Sequence, residues 1–171
     1  TRTTSSAASD VYKRQPGVRL DIPIIASPMN TISESKMCIK MHELGGLGVL
    51  HRFAYKQDGT LDRAYLKGQM EYMADQGVPF EKRAFSVGIK EEDRMLVEEL
   101  APLASIVCLD VNIGHYDRTL EMIKWVSKTY PDHKIMAGNV STYEGAKAMF
   151  EAGAHCVLSL IHISEPTRQI V

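Results

Sequence analysis

The chain has 171 residues, of which 44% are hydrophobic and 24% are charged, and its formal net charge is -1. This composition indicates a globular domain, or part of a larger one, and argues against extensive disorder. A nearly neutral chain without a basic cluster has no electrostatic footprint for nucleic acid, so we expect a small-molecule partner. No apolar run approaches the roughly 18 to 20 residues of a membrane span, and no signal-peptide pattern is present, so we expect a cytoplasmic protein.

The three cysteines, Cys38, Cys108 and Cys156, are widely spaced along the sequence. They form neither a C-x-x-C pair nor a zinc-ligand pattern, so neither a disulfide framework nor a metal site is predicted. We interpret all three as small buried hydrophobic residues.

From Pro23 onward, short β-branched segments alternate with amphipathic helical patterns, as is typical of βα units in a parallel sheet. The predicted strands are 22–27, 46–51, 84–89, 105–111 and 134–140. Their apolar runs are nearly continuous, which indicates strands that are covered on both faces.

Two of the helices carry predicted capping boxes, Thr31-x-x-Glu34 and Ser141-x-x-Glu144. The predicted buried faces are Met37, Met41 and Leu44 in the first helix, and Ala146, Met149 and Phe150 in the second. Gly153 is expected to end the second helix.

Three further helices are predicted between these two. One covers about 61–76, and another begins with the acidic residues of 91–93, which favour a helix N-terminus. The last contains Leu120, Ile123 and Val126 on one face, and Pro131 prevents it from continuing.

Five βα units suit either a doubly wound sheet or a (β/α)8 barrel, and periodicity alone does not decide between them. The phosphate-binding pattern G-x-G-x-x-G is absent after the first strand, where the sequence reads "ASPMNT". That absence favours an α/β fold consisting of a partial TIM (β/α)8 barrel, with about the first five βα units.

Each predicted strand is followed by side chains that can form hydrogen bonds or carry charge. They are Ser27, Met29, His51, Arg52, Lys90, Asp110, Asn112 and Asn139. In a barrel these positions share the C-terminal face, where ligands bind.

Each of these residues also has a structural interpretation. Ser27 and Asn139 could cap the following helices, and Met29 could pack in the core. A structural role for His51 and a solvated surface position for Arg52 and Lys90 are the ordinary alternatives. Asp110 is harder to explain structurally, because a carboxylate directly after a buried strand needs polar partners.

Four segments, "IPIIASPMNTISESKM", "GGLGVLHRF", "CLDVNIGH" and "IMAGNVSTYEGAKAMFEAGA", resemble the successive strand-end motifs of the IMP dehydrogenase / GMP reductase family. The resemblance runs in order from about residue 18 to about residue 157. It implies hydride transfer between NADP or NAD and carbon 2 of a purine mononucleotide, through a cysteine adduct.

The resemblance also implies site residues. Ser27, Met29 and Asn139 would contact the mononucleotide, whereas the cofactor-binding residues would be Arg52, Asp110, Val111 and Asn112. The nucleophilic cysteine of the family follows a glycine-rich loop that would lie beyond residue 157, so no catalytic residue is assigned and Cys156 is read as a strand residue. A monovalent cation at that loop and a homotetramer of the full-length protein are further implications.

Within the family, the uninterrupted connection 53–83 favours GMP reductase, because the dehydrogenases usually carry an inserted regulatory domain there. The "ASPM" motif looks more like the dehydrogenase, so an insertion-free IMP dehydrogenase remains the alternative. A barrel that binds a phosphorylated ligand without redox chemistry is the alternative of another class.

The two ends of the chain have an unusual relation. If "DVYKRQ" (10–15) is encoded as GATGTGTATAAGAGACAG, the opposite DNA strand translates as "LSLIHI" (158–163). This segment resembles the inverted repeat of transposase-based sequencing adapters. We therefore expect residues 1–15 and 158–171 to be adapter-derived, residues 16–157 to be the native N-terminal part of the barrel, and that fragment to be inactive alone.

Overall fold

The computed structural model describes residues 19–111 and 116–159, in which parallel strands and α-helices alternate. The strands are β1 (Ile25–Ala26), β2 (Leu47–Leu50), β3 (Ala84–Val87), β4 (Ile106–Asp110), β5 (Lys134–Val140) and β6 (Cys156–Ser159). The helices are α1 (Ser35–Glu43), α2 (Arg63–Asp75), α3 (Glu91–Leu100), α4 (Tyr116–Thr129) and α5 (Tyr143–Ala152), and a 3-10 helix (Phe80–Lys82) precedes β3.

The strands form one sheet in the order β1-β2-β3-β4-β5-β6, and every neighbouring pair is parallel. Each described helix connects one strand to the next strand in the sequence. The predicted fold class, a partial (β/α)8 barrel, is therefore confirmed. Parallel pairing also brings all the C-terminal strand ends to one rim.

Strand side chains alternate between two buried clusters. Phe85 and Val87 belong to the cluster between the sheet and the helices, whereas Ala84 belongs to the cluster on the inner side of the curved sheet. The buried members of the inner cluster are Leu47, Val49, Ala84, Ile106, Cys108 and Met136. Because the alternation continues along β4, Asp110 also lies on the inner side, at the C-terminal rim.

The three middle helices agree with the sequence patterns. Helix α3 begins with the acidic residues of 91–93 and buries Leu96, Val97 and Leu100. Helix α4 ends at Thr129, before Pro131, and buries Ile123 and Val126. Helix α2 covers most of the predicted segment 61–76.

The predicted capping box of α1 is wrong. Helix α1 begins at Ser35, and its N-cap residue, Glu34, makes no side-chain cap bond. The backbone N–H of Ser35 instead donates to Oε1 of Gln69 on α2, at 3.0 Å. A side chain distant in sequence thus satisfies a backbone donor in the first turn of α1, where a local capping box was expected.

Two of the three residues predicted on the buried face of α1, Met37 and Leu44, are instead exposed, Leu44 by 56%, whereas Met41 is partly buried. Cys38, which was not part of the predicted face, is buried. The sheet contacts α1 through Gly48 of β2, where an added Cβ would lie 2.4 Å from Cα of Cys38. This close approach turns the Cys38 side of the helix toward the sheet and leaves Met37 and Leu44 outside.

Helix α5 begins one residue later than the predicted capping box. Thr142, not Ser141, is the N-cap, and its hydroxyl accepts from the N–H of Gly145 at 3.1 Å. Phe150, expected in the core, is 50% exposed. Gly153 ends the helix with φ of 116°, as predicted, because a residue without Cβ adopts this conformation readily.

The edge strands differ from the sequence interpretation in length. In the segment before β1, Pro23 has no N–H, and Asp21 and Ile22 donate to the carbonyl of Gly45 (2.8 and 3.2 Å) instead of forming a strand. Strand β6 includes Cys156, as expected, and extends to Ser159, two residues into the segment interpreted as adapter-derived. Main-chain pairing with β5 requires no particular side chain, and the origin of residues 158–171 stays a prediction.

The contact between α1 and β2 gives a stability prediction. Gly48→Ala places a methyl group against the Cys38 backbone, so we expect a loss of about 1–3 kcal/mol of unfolding free energy. Gly68→Ala is the control, because Gly68 lies inside α2 with no atom near its missing Cβ and should gain up to about 1 kcal/mol. Urea unfolding of both variants measures the difference, and equal stability of the two would contradict the packing argument.

Candidate functional site

The loop after β1 holds Ser27 and Met29 at the C-terminal rim. The hydroxyl of Ser33 donates to the carbonyl of Ser27, and the carbonyl of Met29 accepts from the N–H groups of Ile32 (3.0 Å) and Ser33 (2.8 Å). Backbone groups and the Ser33 hydroxyl within the loop thus brace it. Met29 is 49% exposed and Ser27 is exposed, so neither the core role of Met29 nor the capping role of Ser27 applies.

Arg52 lies directly after β2 and is only partly exposed. Its guanidinium carbon is 4.6 Å from the ring centroid of Phe53, a cation–π contact. The Nε atom is buried and has no hydrogen-bond partner among the described residues. A buried guanidinium donor without an acceptor is a group that an anionic or oxygen-rich ligand could satisfy.

Gly88, at the end of β3, leaves the space that Arg52 occupies. An added Cβ on Gly88 would lie 3.3 Å from the guanidinium carbon of Arg52 and 2.7 Å from a carboxylate oxygen of Asp93. The buried Asp93 carboxylate accepts from the N–H groups of Gly88 (2.8 Å) and Lys90 (2.9 Å). The backbone between β3 and α3 is therefore held by one side chain, next to the guanidinium.

Asp110 lies on the inner side of the sheet at the end of β4, opposite Gly138 of β5. Burial raises the pKa of Asp110, and the positive charge of Arg52 opposes this by lowering that pKa. Asp110 and Arg52 are thus close enough to interact electrostatically, although they form no described ion pair. A carboxylate can accept from hydroxyl groups, and a guanidinium can donate to negatively charged groups, so the pair offers complementary chemistry at this rim.

Val111 and Asn139 extend the pairing of β4 and β5 beyond Asp110. The N–H of Val111 donates to the carbonyl of Gly138 (3.0 Å), and the N–H of Asn139 donates to the carbonyl of Val111 (2.9 Å). These bonds fix the backbone that carries the partly exposed Asn139 side chain. Because Thr142 caps α5, Asn139 is not its N-cap, and the capping interpretation is wrong.

At the C-terminal ends of β2, β4 and β5, the structure brings together four of the predicted site residues: Arg52, Asp110, Val111 and Asn139. Ser27 and Met29 lie on the same rim, but no described contact joins them to Asn139. Asn112 lies outside the described residues, so its predicted role stays a prediction.

A cleft of about 370 Å³ opens where α3 and α4 begin, beside this rim. Its lining residues are Ile89, Lys90, Glu91, Arg94, Arg118, Glu121 and Met122. Lys90 was interpreted as a surface residue, and it is indeed exposed and paired with Glu92 at 3.3 Å.

The cysteines in the described part of the chain are not activated. Burial raises the pKa of Cys38 and of Cys108 to about 12, and it also raises the pKa of Cys156. A thiol with a raised pKa is protonated at neutral pH and is a poor nucleophile. This agrees with the assignment of Cys156 as a strand residue; the location of a nucleophile beyond residue 157 stays a prediction.

The sequence of the chain is similar to that of a known protein family. The sequence model of the IMP dehydrogenase / GMP reductase domain matches residues 2–159. The chain belongs to this family. The match includes residues 2–15, which sequence analysis interpreted as adapter-derived.

Several relatives are named GMP reductase. The protein of Bacillus subtilis is 29% identical over 153 residues, which cover 88% of this chain and 44% of that protein. The proteins of Bacillus licheniformis and Streptococcus pneumoniae are 27% and 29% identical and match 81% and 78% of this chain. The chain spans about two fifths of the length of these relatives, 38% to 44%.

Across 19–111 and 116–159, no helix is long and apolar enough to cross a membrane. Over the same residues, no group of three or more His, Cys, Asp or Glu side chains is placed to hold a metal ion.

Sequence reasoning missed the residues that support the site. Gly88 and Asp93 have a recognisable pattern, a glycine after a strand with an aspartate at the third position of the next helix. Glu34 and Tyr65 could not have been paired from sequence, since 31 positions separate them and their contact depends on how α2 packs.

The environment of Asp110 gives a pH-dependent prediction. Burial raises its pKa in the folded chain, so charging Asp110 costs stability once the pH exceeds the ordinary aspartate pKa of about 3.9. Asp110→Asn should therefore raise the melting temperature at neutral pH, and the gain should disappear as the pH falls toward 4. Asp132→Asn, in an exposed turn, is the control, and a destabilising Asp110→Asn at neutral pH would refute this reading.

Proposed function

We propose that the chain is the N-terminal part of a purine-nucleotide oxidoreductase, and specifically of a GMP reductase. In this reaction GMP, NADPH and two protons give IMP, NADP⁺ and ammonium. The observation that carries the choice is the connection from β2 to β3, which holds only the Tyr55–Leu61 bridge, α2 and the 3-10 helix. The curated relatives named GMP reductase support the same choice.

In this proposal the rim has two halves. The mononucleotide is bound by Ser27 and Met29 of the braced loop and by Asn139, whose amide can pair with polar edges of the purine. Met29 supplies an exposed apolar surface for the planar base.

The cofactor half consists of Arg52, Asp110, Val111 and Asn112. The unpartnered Nε of Arg52 fits a group that brings oxygen atoms, and the Asp110 carboxylate fits ribose hydroxyl groups. The nicotinamide supplies the hydride when it is bound. Arg52 and Asp110 hold and orient it, and Gly88 leaves the space that Arg52 needs.

The cysteine nucleophile, its monovalent cation and the residues that handle the proton would come from the rest of the protein. We therefore propose that the isolated chain contains binding groups but does not turn over. For the full-length protein we propose a cytoplasmic homotetramer.

The first experiment assays the full-length protein with two substrate pairs. GMP with NADPH should be consumed, with loss of absorbance of the reduced nicotinamide and release of ammonium, while IMP with NAD should give no XMP. The opposite outcome would identify an insertion-free IMP dehydrogenase, which the "ASPM" motif favours. Activity with neither pair, together with binding of a phosphorylated ligand, would identify a non-redox barrel.

A second prediction tests the division of the rim in the full-length protein. Arg52→Ala should weaken NADPH binding roughly 10- to 150-fold, because it removes a charged donor, and should leave the dissociation constant for GMP nearly unchanged. Lys147→Ala is the charge-matched control, since Lys147 forms an exposed pair with Glu151 on α5. Isothermal titration with each ligand separates the two halves, and equal weakening of both ligands would contradict the assignment of Arg52.

A further inference from the structure

His51 stands between the two loops that carry the proposed ligand groups. It occupies the position after the end of β2 and is 3% exposed. Its backbone N–H donates to the carbonyl of Ser33 in the loop after β1 (3.1 Å), and its Nδ1 accepts from the N–H of Phe53 (3.0 Å). The proposed function leaves this buried imidazole without a role.

The hydrogen bond from Phe53 determines the form of the imidazole. An Nδ1 that accepts a hydrogen bond carries no proton, so the neutral ring has its proton on Nε2. Nε2 points toward Oε1 of Glu34, 3.7 Å away, and has no hydrogen-bond partner within 19–111 and 116–159. Burial lowers the pKa of His51, and Glu34 only partly opposes this, which favours the neutral ring at neutral pH.

Glu34 is itself held in place by α2. The hydroxyl of Tyr65 donates to Oε1 of Glu34 at 2.8 Å. One turn further along α2, Oε1 of Gln69 accepts from the N–H of Ser35 at 3.0 Å. The carboxylate that faces His51 is therefore fixed from a second helix, and it keeps the Nε2 proton on the side away from Phe53.

We propose that His51 is a positioning residue for the cofactor half of the site, acting through Phe53 on Arg52. Its Nδ1 fixes the Phe53 amide, and the Phe53 ring then supports the Arg52 guanidinium beside Gly88 and Asp110. This inference rests on the proposed function in one respect, the assignment of Arg52 to the cofactor.

Removal of the His51 imidazole should weaken cofactor binding by a predictable amount. Without the Nδ1 acceptor, the backbone amide of Phe53 loses its partner, and the ring beneath Arg52 is no longer held. Binding of the cofactor must then also order the Arg52 side chain. Ordering one side chain costs about 0.5–1.5 kcal/mol, which corresponds to a roughly 2- to 12-fold loss of affinity.

Three variants separate the ring's functions. His51→Ala removes both nitrogens. His51→Asn keeps an acceptor close to the position of Nδ1, and His51→Gln places its amide nearer to the position of Nε2. His133→Ala is the control for loss of a histidine, because His133 lies at the opposite end of the sheet, where its Nε2 contacts the carbonyl of Ala101 at 2.9 Å.

The first measurement is local and needs no ligand. Amide hydrogen exchange of Phe53, followed by NMR in the 171-residue chain, should accelerate in His51→Ala and His51→Gln and stay close to the wild-type rate in His51→Asn and His133→Ala. If the Phe53 amide is equally protected in His51→Asn and His51→Gln, the Nδ1 contact does not hold it and the inference fails.

The second measurement is functional and uses the full-length protein. His51→Ala should weaken NADPH binding roughly 2- to 12-fold with little change for GMP, and His51→Asn should restore the affinity. In an Arg52→Ala background His51→Ala should have no further effect, because a residue that acts through another is not additive with it. Additive effects, or equal weakening of GMP binding, would show a general structural role.

The two proposals fail in different ways. If the wild-type protein does not bind NADPH, the proposed function is wrong, and the exchange rates still decide whether His51 holds Phe53. If NADPH binds and Arg52→Ala weakens it, but His51→Ala does not, the proposed function stands and the positioning role is wrong.

Discussion

Strand β4 pairs with β3 from Ala84↔Ile106 to Val87↔Leu109, and with β5 from Ile106↔Lys134 to Asp110↔Gly138. The other elements of the fold depend on this continuous parallel register. It sets which side chains face the helices and which face the inner side, and a shift of one residue would exchange the two sets. It also places Asp110 at the rim, where its carboxylate is buried enough for its pKa to rise and still close to Arg52.

The rim is supported by bonds that join neighbouring βα units. Asp93 of α3 holds the backbone at Gly88, while Gln69 and Tyr65 of α2 hold the start of α1. In both cases the first turn of a helix is involved, which is where unpaired backbone donors accumulate. Asp93 and Gln69, which accept from such backbone donors, therefore also fix the loops that carry the proposed ligand groups.

The parts of the fold that depend on local patterns could be predicted from the sequence. Strands β2 to β5, α3, α4 and the end of α5 at Gly153 follow from apolar runs, first-turn acids, a proline and a glycine. The start of α1 could not be predicted, because its partner Gln69 lies 34 positions away. Its buried face was wrong for a related reason, since the close approach of Gly48 to Cys38 selects a side of the helix that hydrophobicity alone does not reveal.

For the site, strand-end position predicted where Arg52, Asp110 and Asn139 would lie. It did not predict their support by Gly88, Asp93, Glu34 and Tyr65, because a supporting residue is defined by its contacts and not by its chemistry. The alternative roles of Met29 and Asn139 were decided by exposure and by the identity of the N-cap of α5, and both require coordinates.

The sheet order, in which each strand pairs with the next strand in the sequence, has a consequence for synthesis. Every described βα unit completes its pairing with a neighbour that the ribosome has already released. Pairing of parallel strands is slow to form, but because each described pair joins consecutive strands, no strand has to wait for a distant segment of the chain. The nascent chain can therefore acquire its register one unit at a time, starting from its N-terminal strands, while translation continues.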